Sequence, residues 1–483
     1  MHDSASSALP LCIDLDGTLI KTDLLFESLA RLLKQKPWFM LLVPFWGLRG
    51  RAYLKQRIAR QISIDVRSLP YNSAFLEWLR SQKAAKREML LVTAADESLA
   101  NQVADHLGLF DRVIASNGRL NLKGKRKLQT LRQQVPGDFE YAGNSRADLE
   151  IWRHCAGAIT IGASPSLLKR VRKQVPRVIT FDGRSSGQLK HYVSAMRVQQ
   201  WAKNVLVFVP LITSHQFMHP ALLLKSALGF LLFSLCSSAQ YILNDIVDLE
   251  VDRHHAIKRQ RSFANGDVPL AMGFILAPVL LAASLGGAIF VSKLFLVALV
   301  VYFGLSLSYS LYLKKIVLLD AFVLSVLYML RIIAGHLVTG VPFSVWLLAF
   351  AFFLFLSLAF SKRWAELNNL RRAGGSMVGR GYRVDDMGQV NLFGVCSAFL
   401  SAVVFILYLQ SDKVRELYRQ PELLWLLSPV FLYWVSRLWI RSSRGEMSED
   451  SVLFVLKDPV TYVIAAVSGL IMMAATAGWA GTL

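Results

Sequence analysis

A succession of long apolar runs starts near Trp201 and continues towards the end of the sequence. Nine segments are read as spanning helices, at about 203–214, 221–243, 271–290, 292–311, 317–339, 344–361, 391–410, 422–439 and 459–480. A helix needs roughly 20 apolar residues to cross the hydrocarbon core. Only a structure that closes its own backbone hydrogen bonds survives there, so the runs predict helices. The first is the shortest and can begin earlier as an amphipathic helix. Before residue 190 no comparable run occurs. The spacing therefore predicts a soluble domain over 1–190, whose strand signals below read as α/β, and an all-α polytopic membrane domain of nine helices over 191–483. A polar stretch at about 170–190, bearing Gly183, Ser185, Ser186 and Gly187, reads as the linker.

The net charge of +21 needs no nucleic acid to explain it. Counted from a cytoplasmic N-terminus, the loops at 244–270, 312–317, 362–390 and 440–458 share one side and hold most of the basic residues, among them Lys258, Arg261, Lys314, Lys362, Arg363, Arg380, Arg441 and Lys457. The opposite loops hold few, such as Lys293 and Arg415. The positive-inside rule places the first set in the cytoplasm. The polar opening Met1–Pro10 shows no cleavable signal peptide, in keeping with a cytoplasmic N-terminus. Cys12, Cys155, Cys236 and Cys396 lie far apart, without metal-ligand spacing, as in a reducing compartment.

At the end of the second apolar run stands Asn244-Asp245-Ile246-Val247-Asp248-Leu249-Glu250-Val251-Asp252. Its aspartates, at i, i+3 and i+7, share one face of a helix. Clustered carboxylates at a membrane edge need a cation, and hard oxygen ligands point to Mg²⁺ bridging to substrate phosphates. Lys258, Arg259 and Arg261 follow, so both halves of a diphosphate clamp are present. The run resembles the N-D-x-x-D-x-x-x-D signature of the UbiA superfamily of membrane transferases. The resemblance implies that Asn244 and the aspartates hold Mg²⁺ and the donor diphosphate, and that the fold has nine helices.

Farther on, Tyr309-Ser310-Leu311 precedes Asp320. Many UbiA prenyltransferases carry a second D-x-x-x-D here, but position 324 is Leu324. The same helix holds Arg331, eleven residues from Asp320 and nearly in phase with it. A charged residue inside a spanning helix reads as functional, and its structural counterpart is an ion pair. Together with Gln200-Trp201-Ala202-Lys203-Asn204, Leu330–Gly335 and Lys362-Arg363, these residues resemble the decaprenyl-phosphate phosphoribosyltransferase branch of the superfamily, over about 191–465. That likeness implies phosphoribosyl pyrophosphate as donor and polyprenyl phosphate as acceptor. It implies substrate contacts for Lys203, Asn244, Lys258, Arg261, Tyr309, Asp320, Arg331, Lys362 and Arg363. It also implies an inner-membrane enzyme of a bacterium, active at the cytoplasmic face.

In the N-terminal part, the apolar Leu11-Cys12-Ile13 runs into Asp14-Leu15-Asp16-Gly17-Thr18. Acids at the carboxyl edge of a strand sit where α/β sheets bind ligands. One acid of such a pair can attack phosphorus while the other moves protons. Met89–Val92 predicts a second strand ending at Thr93. Lys127 is a candidate phosphate partner, with Lys123 and Lys125 as rivals. Tyr141–Asp148 then places polar groups after a third strand. The order resembles the haloacid dehalogenase superfamily over about 9–165. The resemblance implies Asp14 as nucleophile, Asp16 as acid/base, and Thr93 and Lys127 on the phosphoryl group. Mg²⁺ would be held by Asp14, Asp16, Asn144 and Asp148, with Asn144 standing where the family usually has aspartate.

The insertion at about 21–79 reads as a helical cap. Within it, Pro37–Trp46 is too short to span a bilayer and is flanked by Lys34, Lys36, Arg49, Arg51 and Lys55. Such a segment fits a membrane interface, or else a cap core packing inward. The two resemblances predict a bifunctional enzyme that adds phosphoribose to polyprenyl phosphate and then removes the 5-phosphate, supplying pentose donors for cell-envelope glycans. The alternatives are an aromatic, quinone-type prenyltransferase using a prenyl diphosphate, and a regulatory or vestigial phosphatase-like domain.

Overall fold

A computed structural model describes residues 9–182, 189–255, 257–373, 381–446, 454–455 and 457–477. The chain packs as two compact units. One runs through Arg197 and takes in Tyr241–Pro278; the other comprises Val198–Gln240 and the chain from Val279 onwards. Of the stretch read as a linker at about 170–190, the first part instead holds the end of a helix, Pro165–Arg172, and a strand of the sheet, Arg177–Phe181; residues 183–188, Arg380 and much of the last basic loop lie outside the described residues.

The first unit is built on six parallel strands, β1 (Leu11–Ile13), β2 (Met89–Asp96), β3 (Arg112–Ser116), β4 (Glu140–Gly143), β5 (Gly157–Ile161) and β6 (Arg177–Phe181), in the order β3-β2-β1-β4-β5-β6. Successive side chains of a strand point to opposite faces, so both faces must be apolar when helices cover both. Leu11, Ile13, Met89 and Leu91 enter one core, while Cys12, Leu90, Val92 and Tyr141 enter the other. This doubly wound α/β architecture is the one expected from the strand-end acids. The strand order reverses between β1 and β4, and the crevice beyond the carboxyl ends of those two strands is where such sheets take ligands.

Between β1 and β2 the expected cap is helical, with Leu24–Gln35, Pro37–Leu48 and Arg51–Ala59. Asp23 caps the first of these by accepting from the Leu25 amide. Tyr241–Pro278, apolar at its edges and charged in its middle, packs with these residues: Glu27 pairs with Arg253 at 2.6 Å, Arg31 pairs with Glu250, and the Phe26 and Phe274 rings lie 5.9 Å apart.

Eight helices among the described residues are long and apolar enough to cross a membrane: Pro220–Val247, Leu270–Val291, Lys293–Leu311, Leu319–Thr339, Val345–Arg372, Val384–Leu409, Pro421–Ser443 and Pro459–Thr476. They include every predicted span except the first. Residues 203–214 instead fall in a 3-10 helix, Val198–Phe208, and a five-residue α-helix, Val209–Thr213. Pro210 starts the short helix, since a residue without an N–H fits a first turn. Lys203 and Asn204 are buried in the 3-10 part. Hydropathy averaged along the run hides these breaks. The second unit encloses a core of Phe233, Phe295, Leu299, Tyr302 and Leu327. Large apolar side chains such as Phe290, Leu294 and Leu470 remain exposed on its helices, as lipid contact requires. The chain is an integral membrane protein.

Candidate active sites

At the switch point of the sheet, Asp14 follows β1 and Asn144 follows β4. Between them the chain turns at Gly17, whose φ of +74° suits glycine, and whose missing side chain leaves room for the Asn144 amide. A cavity of about 560 Å³ lies here, lined by Asp14, Asp16, Lys127, Asn144 and Asp148. Of the three rival lysines, Lys127 turns inward. It is 3% exposed, and its Nζ donates to Asp14 Oδ1 at 2.8 Å, to the Val92 carbonyl at 3.1 Å and to the Tyr141 hydroxyl at 3.1 Å. Thr93 is fully buried and its Oγ1 accepts from the Ala95 amide; its neighbour Ala94 lines the cavity instead.

Burial raises the Asp14 carboxyl, opposed by Lys127 and reinforced by Asp148. Burial, then Asp23, pushes Asp16 up to about 8. A carboxyl that keeps its proton near neutrality can protonate a leaving oxygen. Asp148 accepts from the Asn144 and Ser145 amides, the Ser145 hydroxyl and the Tyr141 hydroxyl, so it braces the loop after β4. Tyr141 carries no motif signal; only its place between Lys127 and Asp148 marks it.

The aspartate motif folds as a helix that ends at Val247 and resumes over Leu249–His254. Helical hydrogen bonds cross the break, from the Asp248 amide to Asn244 and from the Asp252 amide to Asp248. The predicted shared face therefore survives in part: Arg261 Nη1 donates to Asp252 Oδ2 at 2.6 Å and to Asp245 Oδ1 at 3.1 Å. Arg197 also pairs with Asp245. Burial works against that guanidinium, yet Asp245 outweighs it and holds its pKa above the usual value. Sequence reasoning missed Arg197; a cation shortly before Gln200-Trp201 was the available signal. Burial pushes Asp252 up to about 6 against the pull of Arg261.

Oxygen donors alone, two nearly buried carboxylates and the Asn244 Oδ1, a buried acceptor without a partner among the described residues, fit a hard cation such as Mg²⁺. No three or more His, Cys, Asp or Glu side chains among the described residues close on one point in either site. In the aspartate motif the guanidinium groups of Arg197 and Arg261 stand beside the carboxylates and must give way to an ion. At β1 the oxygens of Asp14, Asp16, Asn144 and Asp148 line a single cavity and also suit Mg²⁺ in kind. Lys258 is half-buried and close in sequence to Arg261.

In the second unit Arg331 is 4% exposed. It donates to Asn204 Oδ1 at 2.8 Å, the Leu327 carbonyl at 2.5 Å and the Tyr302 hydroxyl at 3.2 Å, and its guanidinium lies 5.1–5.4 Å from the rings of Tyr302, Tyr328 and Phe233. Lys203 sits 5.8 Å from the Tyr328 ring. Asp320, whose eleven-residue spacing from Arg331 is roughly 16 Å of helix rise, pairs instead with Arg363 at 2.6 Å and accepts from Tyr382 at 2.6 Å. Asp320 and Arg363 are both fully buried; Arg363 also reaches Glu366 and donates to the Tyr309 hydroxyl at 3.3 Å. Lys362 is half-buried.

Residues 205–457 match the UbiA prenyltransferase family. An uncharacterized protein of Sinorhizobium fredii, y4nM, is 39% identical over 467 residues, covering 96% of this chain and 90% of that protein. Nodulation protein NoeC of Azorhizobium caulinodans is 34% identical over 276 residues, 55% of this chain and 87% of that protein. Decaprenyl-phosphate phosphoribosyltransferase of Mycobacterium tuberculosis is 36% identical over 189 residues, 38% of this chain and 63% of that protein, so the match spans less than two thirds of that relative.

Proposed function

The chain belongs to the UbiA prenyltransferase family, and on that premise we propose that it moves 5-phosphoribose from phosphoribosyl pyrophosphate onto a polyprenyl phosphate, and that its N-terminal domain then removes the 5-phosphate. The observation that carries the choice of donor is the engagement of Asp320. With Leu324 in place of a second acid, and Asp320 bound by Arg363 and Tyr382, the Asn244–Asp252 run is left as the carboxylate cluster for a diphosphate. A phosphate acceptor calls for cations rather than for a second acidic motif. The phosphoribosyltransferase named among the relatives supports the same reading.

Mg²⁺ held by Asp245, Asp248 and Asp252 would supply Lewis acidity to the leaving pyrophosphate. Arg261 and Lys258 take up charge as the anomeric C–O bond breaks. The acceptor phosphate is ionised near pH 7, so its oxygen attacks the anomeric carbon without a general base. Lys203, Arg331 and Lys362 are the candidates for binding substrate phosphates. Asp320 and Arg363, both buried, act by positioning, with Arg363 fixing the Tyr309 hydroxyl.

In the N-terminal domain Asp14 attacks phosphorus, and Asp16 protonates the departing ribose 5-oxygen. Water then attacks the aspartyl phosphate with Asp16 as base, releasing phosphate and restoring Asp14. Lys127 holds the phosphoryl oxygens, with Thr93 supporting the strand end. Mg²⁺ on Asp14, Asp16, Asn144 and Asp148 would neutralise charge on the phosphoryl group. In this reading both reactions occur at the cytoplasmic face of a bacterial inner membrane, and the distribution of basic loops supports that side.

The test uses purified full-length protein in detergent with Mg²⁺, polyprenyl phosphate and phosphoribosyl pyrophosphate, reading lipid products by mass. The expected result is a lipid that gains phosphoribose and then loses one phosphate only when Asp14 is intact. Turnover of a prenyl diphosphate with an aromatic acceptor, and no ribosylated lipid, would overturn the reading.

A further inference from the structure

The cap presents an apolar surface that the rest of its unit does not cover. No residue of Pro37–Leu48 is buried. Trp38 is 78% exposed, Leu41 71%, Phe45 65% and Leu48 85%. Four such residues within one short segment exceed the scattered exposure of an ordinary surface. Lys36, Arg49 and Arg51, all exposed, flank them.

The opposite face of the segment shows where this surface lies. Phe39, Met40, Val43 and Trp46 share an apolar cluster with Phe26 and with Phe274. Phe274 belongs to Leu270–Val291, a helix long and apolar enough to cross a membrane, and lies four residues from its start. Four residues of helix rise about 6 Å, which is the depth an interfacial helix reaches. The segment thus shares its cluster with the first turns of a helix long and apolar enough to span.

The same cluster reaches the cavity at β1. Leu25, Phe26 and Leu54 belong to the cluster and also line the cavity; Pro269, Leu270 and Ala271, at the start of the spanning helix, line the cavity as well. One wall of the cavity is therefore apolar and continuous with the outward segment, while its floor holds Asp14 and Lys127.

We infer that Pro37–Leu48 lies in the membrane interface, with its outer face in lipid, and that the cavity at Asp14 admits amphiphilic phosphomonoesters from the bilayer surface, phosphate at the floor and chain along the Leu25–Phe26–Leu270 wall. The occupant of the exposed face is a lipid bilayer. Its acyl region takes the aromatic and aliphatic side chains, and anionic headgroups meet the flanking cations. The substrate class rests on the phosphatase reading above; the placement of the segment does not.

The test uses full-length protein in phosphatidylcholine–phosphatidylglycerol vesicles. A spin label at Leu41, introduced by Leu41→Cys with Cys155→Ser and Cys396→Ser, is expected to be relaxed more by oxygen than by a water-soluble nickel chelate. Greater relaxation by the chelate, or protection from both reagents as a covering protein would give, overturns the placement. The triple variant Trp38→Ser/Leu41→Ser/Phe45→Ser is then assayed on hexadecyl phosphate in the vesicles and on p-nitrophenyl phosphate in solution. These side chains face outward, so folding is retained. We expect about a tenfold or greater loss of kcat/KM on the lipid substrate and none on the soluble one. An equal loss on both substrates, or on neither, overturns the substrate class. Failure of the wild type to cleave p-nitrophenyl phosphate in an Asp14-dependent way sinks the phosphatase reading instead, and leaves the label to decide the placement.

Discussion

Lys127 Nζ lies 2.8 Å from Asp14 Oδ1, with both side chains nearly buried. The pair holds together the end of β1 and the start of the Lys125–Gln134 helix, and it sets a cation beside the carboxylate proposed as nucleophile. The cation opposes the rise in pKa that burial imposes on Asp14, and so favours the ionised carboxylate.

Asp14→Asn keeps the shape and removes the proposed nucleophile. Phosphomonoester hydrolysis is expected to fall about a thousandfold or more, while phosphoribosyl transfer is retained. Mass analysis of the lipid product then shows the phosphorylated form accumulating. A variant that still dephosphorylates at the wild-type rate would remove Asp14 from its role.

Asn144 lines the same cavity as four acids, Asp14, Asp16, Asp23 and Asp148, but adds no charge of its own. Asn144→Asp raises the negative charge available to a divalent ion. Ligand charge count sets affinity at oxygen sites, so the Mg²⁺ concentration for half-maximal hydrolysis should fall by roughly tenfold. A Mg²⁺ titration of the two proteins checks this. An unchanged or higher requirement would show that Asn144 does not face the ion.

Asp320 and Arg363 are fully buried and paired at 2.6 Å. Removing either partner leaves a buried charge, which costs about 3 kcal/mol or more. Asp320→Asn and Arg363→Met should each lower the thermal midpoint of the protein in detergent. The double variant should lose less than the sum, with a coupling of about 1–3 kcal/mol. Additive losses, with KM rising for phosphoribosyl pyrophosphate, would instead make these residues substrate contacts.

The α/β order and the floor of the cavity were legible because their signals are local: Leu11–Ile13 and Asp14 adjoin in sequence, and a strand brings its end to the crevice whatever follows. The choice of Lys127 over Lys123 and Lys125 was not, since all three suit a helix start and only tertiary burial separates them. Asp320 read as a functional acid near Arg331 because periodicity sees one helix at a time; its partner Arg363 sits on another. Arg197 offered only its place shortly before Gln200-Trp201, since its partner Asp245 is distant in sequence, and the first apolar run read as a span because hydropathy averages over Lys203, Asn204 and Pro210. The packing of Tyr241–Pro278 with the N-terminal residues depends on pairs such as Glu27 and Arg253, which no motif connects.

Burial, opposed by Arg261, pushes the Asp252 carboxyl up to about 6, above the ordinary Asp value of about 3.9. Folding therefore takes up a proton between these values, and the contribution of Asp252 to stability is lost as pH rises from about 4 through about 6. A cation that binds the ionised carboxylate gains where the proton is absent. Mg²⁺ should accordingly raise the thermal midpoint more at about pH 7.5 than at about pH 5. Mg²⁺ taken up at the cavity at Asp14 would add to the shift, so Asp252→Asn serves as the comparison. That variant should lose the component of the Mg²⁺ effect that fades below pH about 6 and retain the remainder. Identical pH profiles for the wild type and the variant would show that Asp252 does not hold the ion.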